Sequence, residues 1–249
     1  MMPVSLRREM TLSDTLVSSL ADASPQVLAL TLAYAKLHIR ALGTADDTLT
    51  AVRIQAAASY FAEQTGRSPL TETRQAGLNA FPFVGASGSA ARIELPHPPL
   101  QRVRSVEYID GDGVLQSFDD GGSPATPYWR AVTYAGPYSR RGFVEPLYGR
   151  TWPTARAESD SVRILYDCGY SDTADDVPPL VKGILCYLVA HFDQFPSATQ
   201  AATINTLPLG VQAMMDAFKY SAYPSQVLRE YGTWLNGAAL WTPPYGGVL

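Results

Sequence analysis

The chain has 249 residues, 46 % of them hydrophobic, a length and composition that exclude wholesale disorder and allow a substantial core. Its net charge of −4 argues against a nucleic-acid-binding protein that works by neutralising phosphates, and no Lys/Arg-rich run offsets this. Only 17 % of the residues are charged, against about 25 % in typical soluble domains, so we expect part of the surface to be covered by other chains.

Residues 1–27 are polar and Ser-rich and predict a loosely ordered N-terminal extension with one short helix around Leu12 to Leu20. They contain no continuous apolar core, so no signal peptide is expected. The longest candidate for a membrane span, Leu180 to Phe195, is interrupted by charged residues and a histidine. We therefore expect a soluble protein, made in a cytoplasm, that does not bind membranes.

Two helices are predicted next. Thr31 is a suitable N-cap for a helix that continues to Ala41 and stops at Gly43. A second helix begins near Asp46-Asp47, where acidic side chains favour the positive end of the helix dipole, and ends at Gly66.

From about Thr71 the pattern changes to short alternating segments, of which Val162 to Tyr166 is the clearest. Prolines, glycines and the turn Asp110-Gly111-Asp112-Gly113 separate these segments. The pattern predicts a small antiparallel sheet or sandwich over roughly residues 70–170.

Helices return after the strands. Pro178-Pro179 suits a helix start, and the wide apolar face that follows continues to Pro196. Val211, Met214, Met215 and Phe218 predict one more amphipathic helix.

This element order predicts an α+β fold, with a small helical bundle of two N-terminal and two C-terminal helices and an inserted antiparallel β domain. The expected divisions are an N-terminal extension (1–27), a helical core (28–69 and 177–219), the β domain (70–176) and a C-terminal arm (220–249).

The C-terminal arm is extended and rich in aromatic residues. It holds two charged residues, and Pro224, Pro243 and Pro244 argue against a long helix. Trp and Tyr dominate the energetic centres of protein interfaces, so the arm either covers its own domain or anchors the chain to a partner. The six aromatic candidates are Tyr220, Tyr223, Tyr231, Trp234, Trp241 and Tyr245.

No motif predicts an enzyme, a cofactor or a metal site. The histidines His38, His97 and His191 are scattered, and Gly85 to Ser89 lacks the second glycine of a nucleophile elbow. Asp110 and Asp112 are better explained by a hairpin turn than by calcium, and Asp172, Asp175 and Asp176 by the start of a helix. Cys168 and Cys186 are expected to be small buried residues, not a disulfide or a metal pair.

The order of segments resembles the head–tail connector (adaptor, or head-completion) proteins of long-tailed bacteriophages and gene-transfer agents. The stretch Ile93 to Asp110, IELPHPPLQRVRSVEYID, is the most specific part of this resemblance. Other matching stretches, in order, are Leu30 to Arg40, Ala56 to Arg67, Trp152-Pro153, Val162 to Tyr170, Val177 to Leu180 and Leu207 to Val211. The resemblance covers residues 29–218 and does not include the N-terminal extension.

The resemblance implies a non-enzymatic virion protein, assembled in the host cytoplasm and placed at the neck of the particle. Such proteins form a ring, usually of twelve copies, under the portal, join it to the tail or stopper, and continue the DNA channel without sequence-specific binding. The C-terminal segment commonly docks on the portal, which would make the six aromatic residues of the arm a portal anchor.

Two alternatives from other classes stay open. One is a small hydrolase with its site on the β domain. The other is a carbohydrate- or surface-binding module that uses Tyr128, Trp129 and Trp152 as an exposed platform.

Overall fold

The computed structural model describes residues 12–19, 28–41, 43–82, 91–118, 128–194 and 209–219. The helices are α1 (Leu32–Ile39), α2 (Asp47–Thr65), α3 (Pro179–Gln194) and α4 (Leu209–Phe218), with a 3-10 turn at Ala174–Asp176. The strands are β1 (Leu12–Ser19), β2 (Glu72–Leu78), β3 (Ile93–Glu94), β4 (Leu100–Ile109), β5 (Leu115–Ser117), β6 (Trp129–Val132), β7 (Phe143–Pro146) and β8 (Val162–Cys168). The α+β class is confirmed.

The predicted helix ends are largely correct because they depend on local chemistry. Thr31 caps α1, and its Oγ1 accepts a hydrogen bond from the Tyr34 amide. Gly66 closes α2 at a φ of 68°, a conformation that glycine adopts without strain. Gly43 does not close α1: Arg40 does so, in the left-handed region at φ 57°, and its amide bonds to the Lys36 carbonyl.

All four helices contribute to one apolar core. Ile54 and Phe61 of α2 pack with Ile184 and Leu188 of α3, and all four side chains are fully buried. Phe218 at the end of α4 meets Phe61 edge-on, with 5.9 Å between ring centroids. The amphipathic helix predicted from Val211, Met214, Met215 and Phe218 is therefore present as α4, and it packs on the other helices.

The strands form a five-stranded antiparallel sheet in the order β1-β2-β8-β4-β5 and a three-stranded sheet in the order β3-β7-β6. The hairpin turn predicted at Asp110 is confirmed, since β4 and β5 pair across it. The Asp110 carboxylate accepts hydrogen bonds from the amides of Asp112 and Val114 and from the Gln116 side chain. Those bonds, the Val114 amide first, lower the pKa of Asp110.

The short helix predicted around Leu12 to Leu20 is wrong, because Leu12–Ser19 form a strand. This strand, β1, is the edge of the larger sheet and pairs antiparallel with β2, from Leu12 opposite Leu78 to Ser19 opposite Glu72. The register shifts between Leu16 and Ser18. Pairing with a strand some sixty residues away overrides the local pattern.

Candidate interaction surfaces

The helical core leaves an apolar face uncovered on α1 and α3. Leu37 is 78 % exposed, and Tyr34 and Tyr187 are each 50 % exposed. His38 connects the two helices, because its ring meets the Tyr187 ring edge-on at 5.5 Å between centroids. Gly183 lies one turn before Tyr187, and a Cβ there would meet nothing within 4 Å. Exposed tyrosine and leucine side chains grouped in this way are typical of a protein–protein contact.

The outward side of α2 carries a second apolar stripe. Leu49 is 48 % exposed and Val52 55 % exposed, and Ala56 follows one turn later. The buried residues of the same helix, Ile54 and Phe61 among them, lie on the opposite side. Helix α2 therefore carries apolar side chains toward solvent as well as toward the core, and such a stripe is suited to a protein–protein contact.

Arg67 joins three parts of the fold directly after α2. Its side chain is almost fully buried and donates Nε–H to the Phe218 carbonyl at 2.9 Å. The same guanidinium donates to the carbonyl of Ser139 at 2.8 Å and to its hydroxyl at 3.3 Å. Phe218 ends α4, and its ring stacks on Tyr138 at 4.8 Å between centroids. Arg67 therefore fixes the place where the chain leaves the helical core toward the C-terminal arm.

A partly buried carboxylate fastens β1 to the sheet. Asp14 accepts hydrogen bonds from Arg74 of β2 at 2.6 Å and from the Tyr166 hydroxyl of β8 at 2.7 Å. Nε2 of His97 lies 3.1 Å from the same carboxylate, while its Nδ1 faces the Gly66 carbonyl at 3.2 Å. Burial by itself raises the pKa of Asp14, but the hydrogen bonds from His97 and Tyr166 and the charges of His97 and Arg74 hold it below its usual value.

The outer face of the larger sheet is polar and centred on Asp167 of β8, whose side chain is 2 % exposed. Arg104 and the strongly exposed Arg102 donate to its two oxygens at 2.8 and 2.5 Å, and Thr73 donates at 2.8 Å. Burial raises the pKa of Asp167, and these hydrogen bonds outweigh it and lower the pKa. The neighbouring groove, about 480 Å³ in volume, also includes Asp172. The lining holds two arginines, Arg102 and Arg104, and two aspartates, Asp167 and Asp172, so the groove is close to neutral.

The histidines and cysteines of the described residues are not gathered at a surface groove. Three surface grooves, of about 480, 390 and 330 Å³, have no histidine or cysteine in their linings. His38 and His191 lie on separate helices, and His97 belongs to the β1 attachment. The described part of the chain also holds no cluster of three His, Cys, Asp or Glu suited to a metal.

Both cysteines are buried and free, as predicted. Burial raises the pKa of the Cys168 thiol well above its usual value and that of Cys186 to about 11. A thiol held in its protonated form is a poor nucleophile. The acidic cluster near α3 is also used locally, since Asp172 accepts from Thr71 and Asp176 from Thr173.

The prediction that Trp152 forms part of an exposed aromatic platform is wrong. It is 9 % exposed, stacks on Phe81 at 4.8 Å between centroids, and donates its Nε1–H to the Ala91 carbonyl at 2.6 Å. Tyr128 packs on Phe118 at 4.6 Å in the same cluster. Trp152 and Phe81 belong to the buried core beneath the sheets, while Tyr128, Trp129 and Phe118 are partly buried against it, so Trp152 is not available to a binding platform.

The six aromatic residues predicted as the portal anchor, Tyr220, Tyr223, Tyr231, Trp234, Trp241 and Tyr245, all lie outside the described residues. So does the stretch Gly85 to Ser89.

The sequence analysis did not predict the apolar faces on α1, α2 and α3. A signal was present, because Tyr34, Leu37 and Tyr187 make the apolar part of their helices wider than one core-facing stripe requires. None of the described helices is long and apolar enough to cross a membrane.

Comparison with solved structures finds the same fold in chains of a gene transfer agent particle. One belongs to the virion of the native particle, with a TM-score of 0.58 and 19 % sequence identity over 83 % of this chain and 94 % of that chain. A second belongs to the neck of the empty particle with C6 symmetry (TM-score 0.57, 19 % identity, 83 % and 95 % covered). A third belongs to the neck of the native particle with C12 symmetry (TM-score 0.57, 18 % identity, 83 % and 94 % covered).

No protein-family model matches the chain, and no curated protein sequence matches it. At these identities the likeness concerns the fold, and at that level the resemblance seen in the sequence is confirmed.

Proposed function

We propose that this chain is a head–tail adaptor, a structural protein that forms a ring in the neck of a virion-like particle. The observation that carries the proposal is the shared fold with neck and virion chains, which extends over 83 % of this chain and almost all of theirs. In this role the ring joins the portal to the tail or stopper and continues the DNA channel. It performs no catalysis.

The uncovered apolar faces support a ring. In a closed ring of identical chains, each copy presents two different faces to its two neighbours. The face formed by Tyr34, Leu37 and Tyr187 and the stripe formed by Leu49 and Val52 supply two such surfaces on different helices. The C12 and C6 symmetries belong to the necks in which the similar chains are found, and we infer twelve copies for this chain by analogy.

The exit of the chain supports an anchoring role for the arm. Arg67 bonds the carbonyl at the end of α4 and the Ser139 carbonyl, and so ties the last described helix to the rest of the fold directly before the arm begins in the sequence. We infer that the six aromatic residues of the arm dock on the portal, where desolvated pockets would make them the main contributors to affinity.

The net negative charge is compatible with DNA that passes through the ring, since attraction to phosphates would slow its movement. This part of the proposal predicts slower ejection when channel-facing acidic residues are replaced by lysine. Unchanged ejection in such variants would contradict it.

The ring is tested with Leu37→Asp and Tyr187→Asp in the full chain. Both side chains are exposed, so we expect the fold to survive while the stoichiometry seen by native mass spectrometry falls from a ring to monomers. Val114→Asp is the matched control, because Val114 is 53 % exposed but lies at the β4–β5 turn, away from the helices. Rings in all three variants would contradict this interface, and a wild-type chain that forms no ring, alone or on the portal, would contradict the adaptor function.

The arm is tested separately by deleting residues 220–249. We expect a folded chain that no longer binds the portal in pull-down or by electron microscopy. Undiminished portal binding would contradict the anchor.

A further inference from the structure

The attachment site of β1 is formed by two strands of the sheet and by connecting segments next to them. The groups that hold the Asp14 carboxylate come from β2, from β8 and from the segment before β4, namely Arg74, Tyr166 and His97. The main-chain partners of β1 all belong to β2. A carboxylate held by three groups and a strand edge that offers a ladder together make a receptor specific for this strand.

The strand itself buries little. None of its eight residues is buried, and Leu16 and Val17 are 47 % and 55 % exposed. Its attachment therefore depends on the backbone ladder, on Asp14, and on the Ser13 hydroxyl, which donates to Asp160 at 2.6 Å. Any second copy of the same eight residues would make the same contacts in the same site.

An empty site would be costly. Tyr166 is fully buried, and without β1 its hydroxyl and the Arg74 guanidinium both lose their bonds to the carboxylate, which leaves the hydroxyl with the Pro96 carbonyl at 3.3 Å and the guanidinium with Glu72 at 3.0 Å. If β1 left its own chain and bound the same site on another copy, the site that it left would have to be filled by a further β1. A closed ring meets this condition, because each copy donates one strand and receives one.

Eight residues, 20–27, separate β1 from the described chain that leads into α1, and they span at most about 30 Å when extended. Resting on the ring proposed above, we propose that β1 is an exchanged strand: in the assembled ring, Leu12–Ser19 of each copy occupies the β2 edge of its neighbour. Asp14 and the bulge near Val17 fix the register of the incoming strand.

The test is a cross-strand disulfide in the full chain. Thr15 lies opposite Gln75, a spacing that suits a disulfide between Thr15→Cys and Gln75→Cys. Glu107→Cys with Ser117→Cys is the matched control, since β4 and β5 pair within one hairpin. The native Cys168 and Cys186 are buried and should contribute little background. Rings are oxidised and run on denaturing, non-reducing gels, with ring size measured in parallel by native mass spectrometry.

Strand exchange predicts that the Thr15/Gln75 variant runs as a ladder of covalently linked copies, while the control runs as a monomer. A mixture of the two single-cysteine variants, assembled together, should then give disulfide-linked heterodimers. Rings in which the Thr15/Gln75 disulfide is only intramolecular would overturn the exchange and leave the adaptor function intact. Absence of rings would overturn both.

Discussion

Replacing Arg67 by alanine is expected to destabilise the fold by about 2–4 kcal/mol. The change removes the donors of two buried carbonyls, those of Phe218 and Ser139, which now accept at 2.9 and 2.8 Å. An unsatisfied buried polar group costs about 1–3 kcal/mol. Two such groups give about 2–6 kcal/mol, and relief from burying the guanidinium charge reduces this total.

The loss is measured by urea denaturation of the full chain. Arg67→Lys should fall between wild type and alanine, because an ammonium keeps the charge but cannot reach both carbonyls in the same planar geometry. Arg150→Ala is the control: Arg150 is exposed, with its guanidinium 5.0 Å from the Tyr128 ring centre, and its loss should cost about 1 kcal/mol or less.

Hydrogen exchange provides a second measurement of the same change. Amides of Leu209–Phe218 should exchange faster in Arg67→Ala, because α4 loses the group that fixes its end. A stability loss below about 1 kcal/mol, with unchanged exchange in α4, would refute the reasoning and mean that solvent reaches these carbonyls.

Three further predictions concern single sites. The pKa of Asp14 is lowered in the folded chain, so its charge stabilises the fold above the pKa that it has when unfolded. The difference in free energy of unfolding between wild type and Asp14→Asn should therefore shrink as the pH falls through the folded pKa. A difference that does not depend on pH in urea titrations would contradict this. Gly169→Ala should lower the melting temperature by several degrees, since φ is +114° and a Cβ would lie 2.2 Å from the Leu70 carbonyl oxygen, whereas Gly183→Ala, on an open helix face, should raise stability by about 0.5–1 kcal/mol. Thiol labelling at pH 8 should be far slower in the native chain than in urea, because burial raises the pKa of both cysteines; equal rates would contradict their burial.

Local chemistry determined much of the fold from the sequence. The Thr31 cap, the Gly66 stop and the Pro178-Pro179 start act through groups within four residues of themselves, so they could be recognised without a partner. The Asp110 turn is equally local, because its carboxylate accepts from amides two and four residues later.

Long-range partners decided the features that sequence reasoning missed. The stretch from Leu12 to Ser19 became a strand because β2 and the groups that bind Asp14, all more than fifty residues away, offer better contacts than a local helix. Trp152 became buried because Phe81 and the Ala91 carbonyl meet it from distant parts of the chain.

The sequence by itself determined where most helices and turns form. Its low fraction of charged residues also indicated that some apolar surface stays exposed in the single chain. Only the tertiary structure decided where that surface lies. Tyr34, Leu37 and Tyr187 look like core residues in the sequence, yet the packing of α1 on α3 leaves them outside. The reason is geometric: a helix buries only the side that its neighbours reach, and the neighbours are set by contacts between residues far apart in the chain.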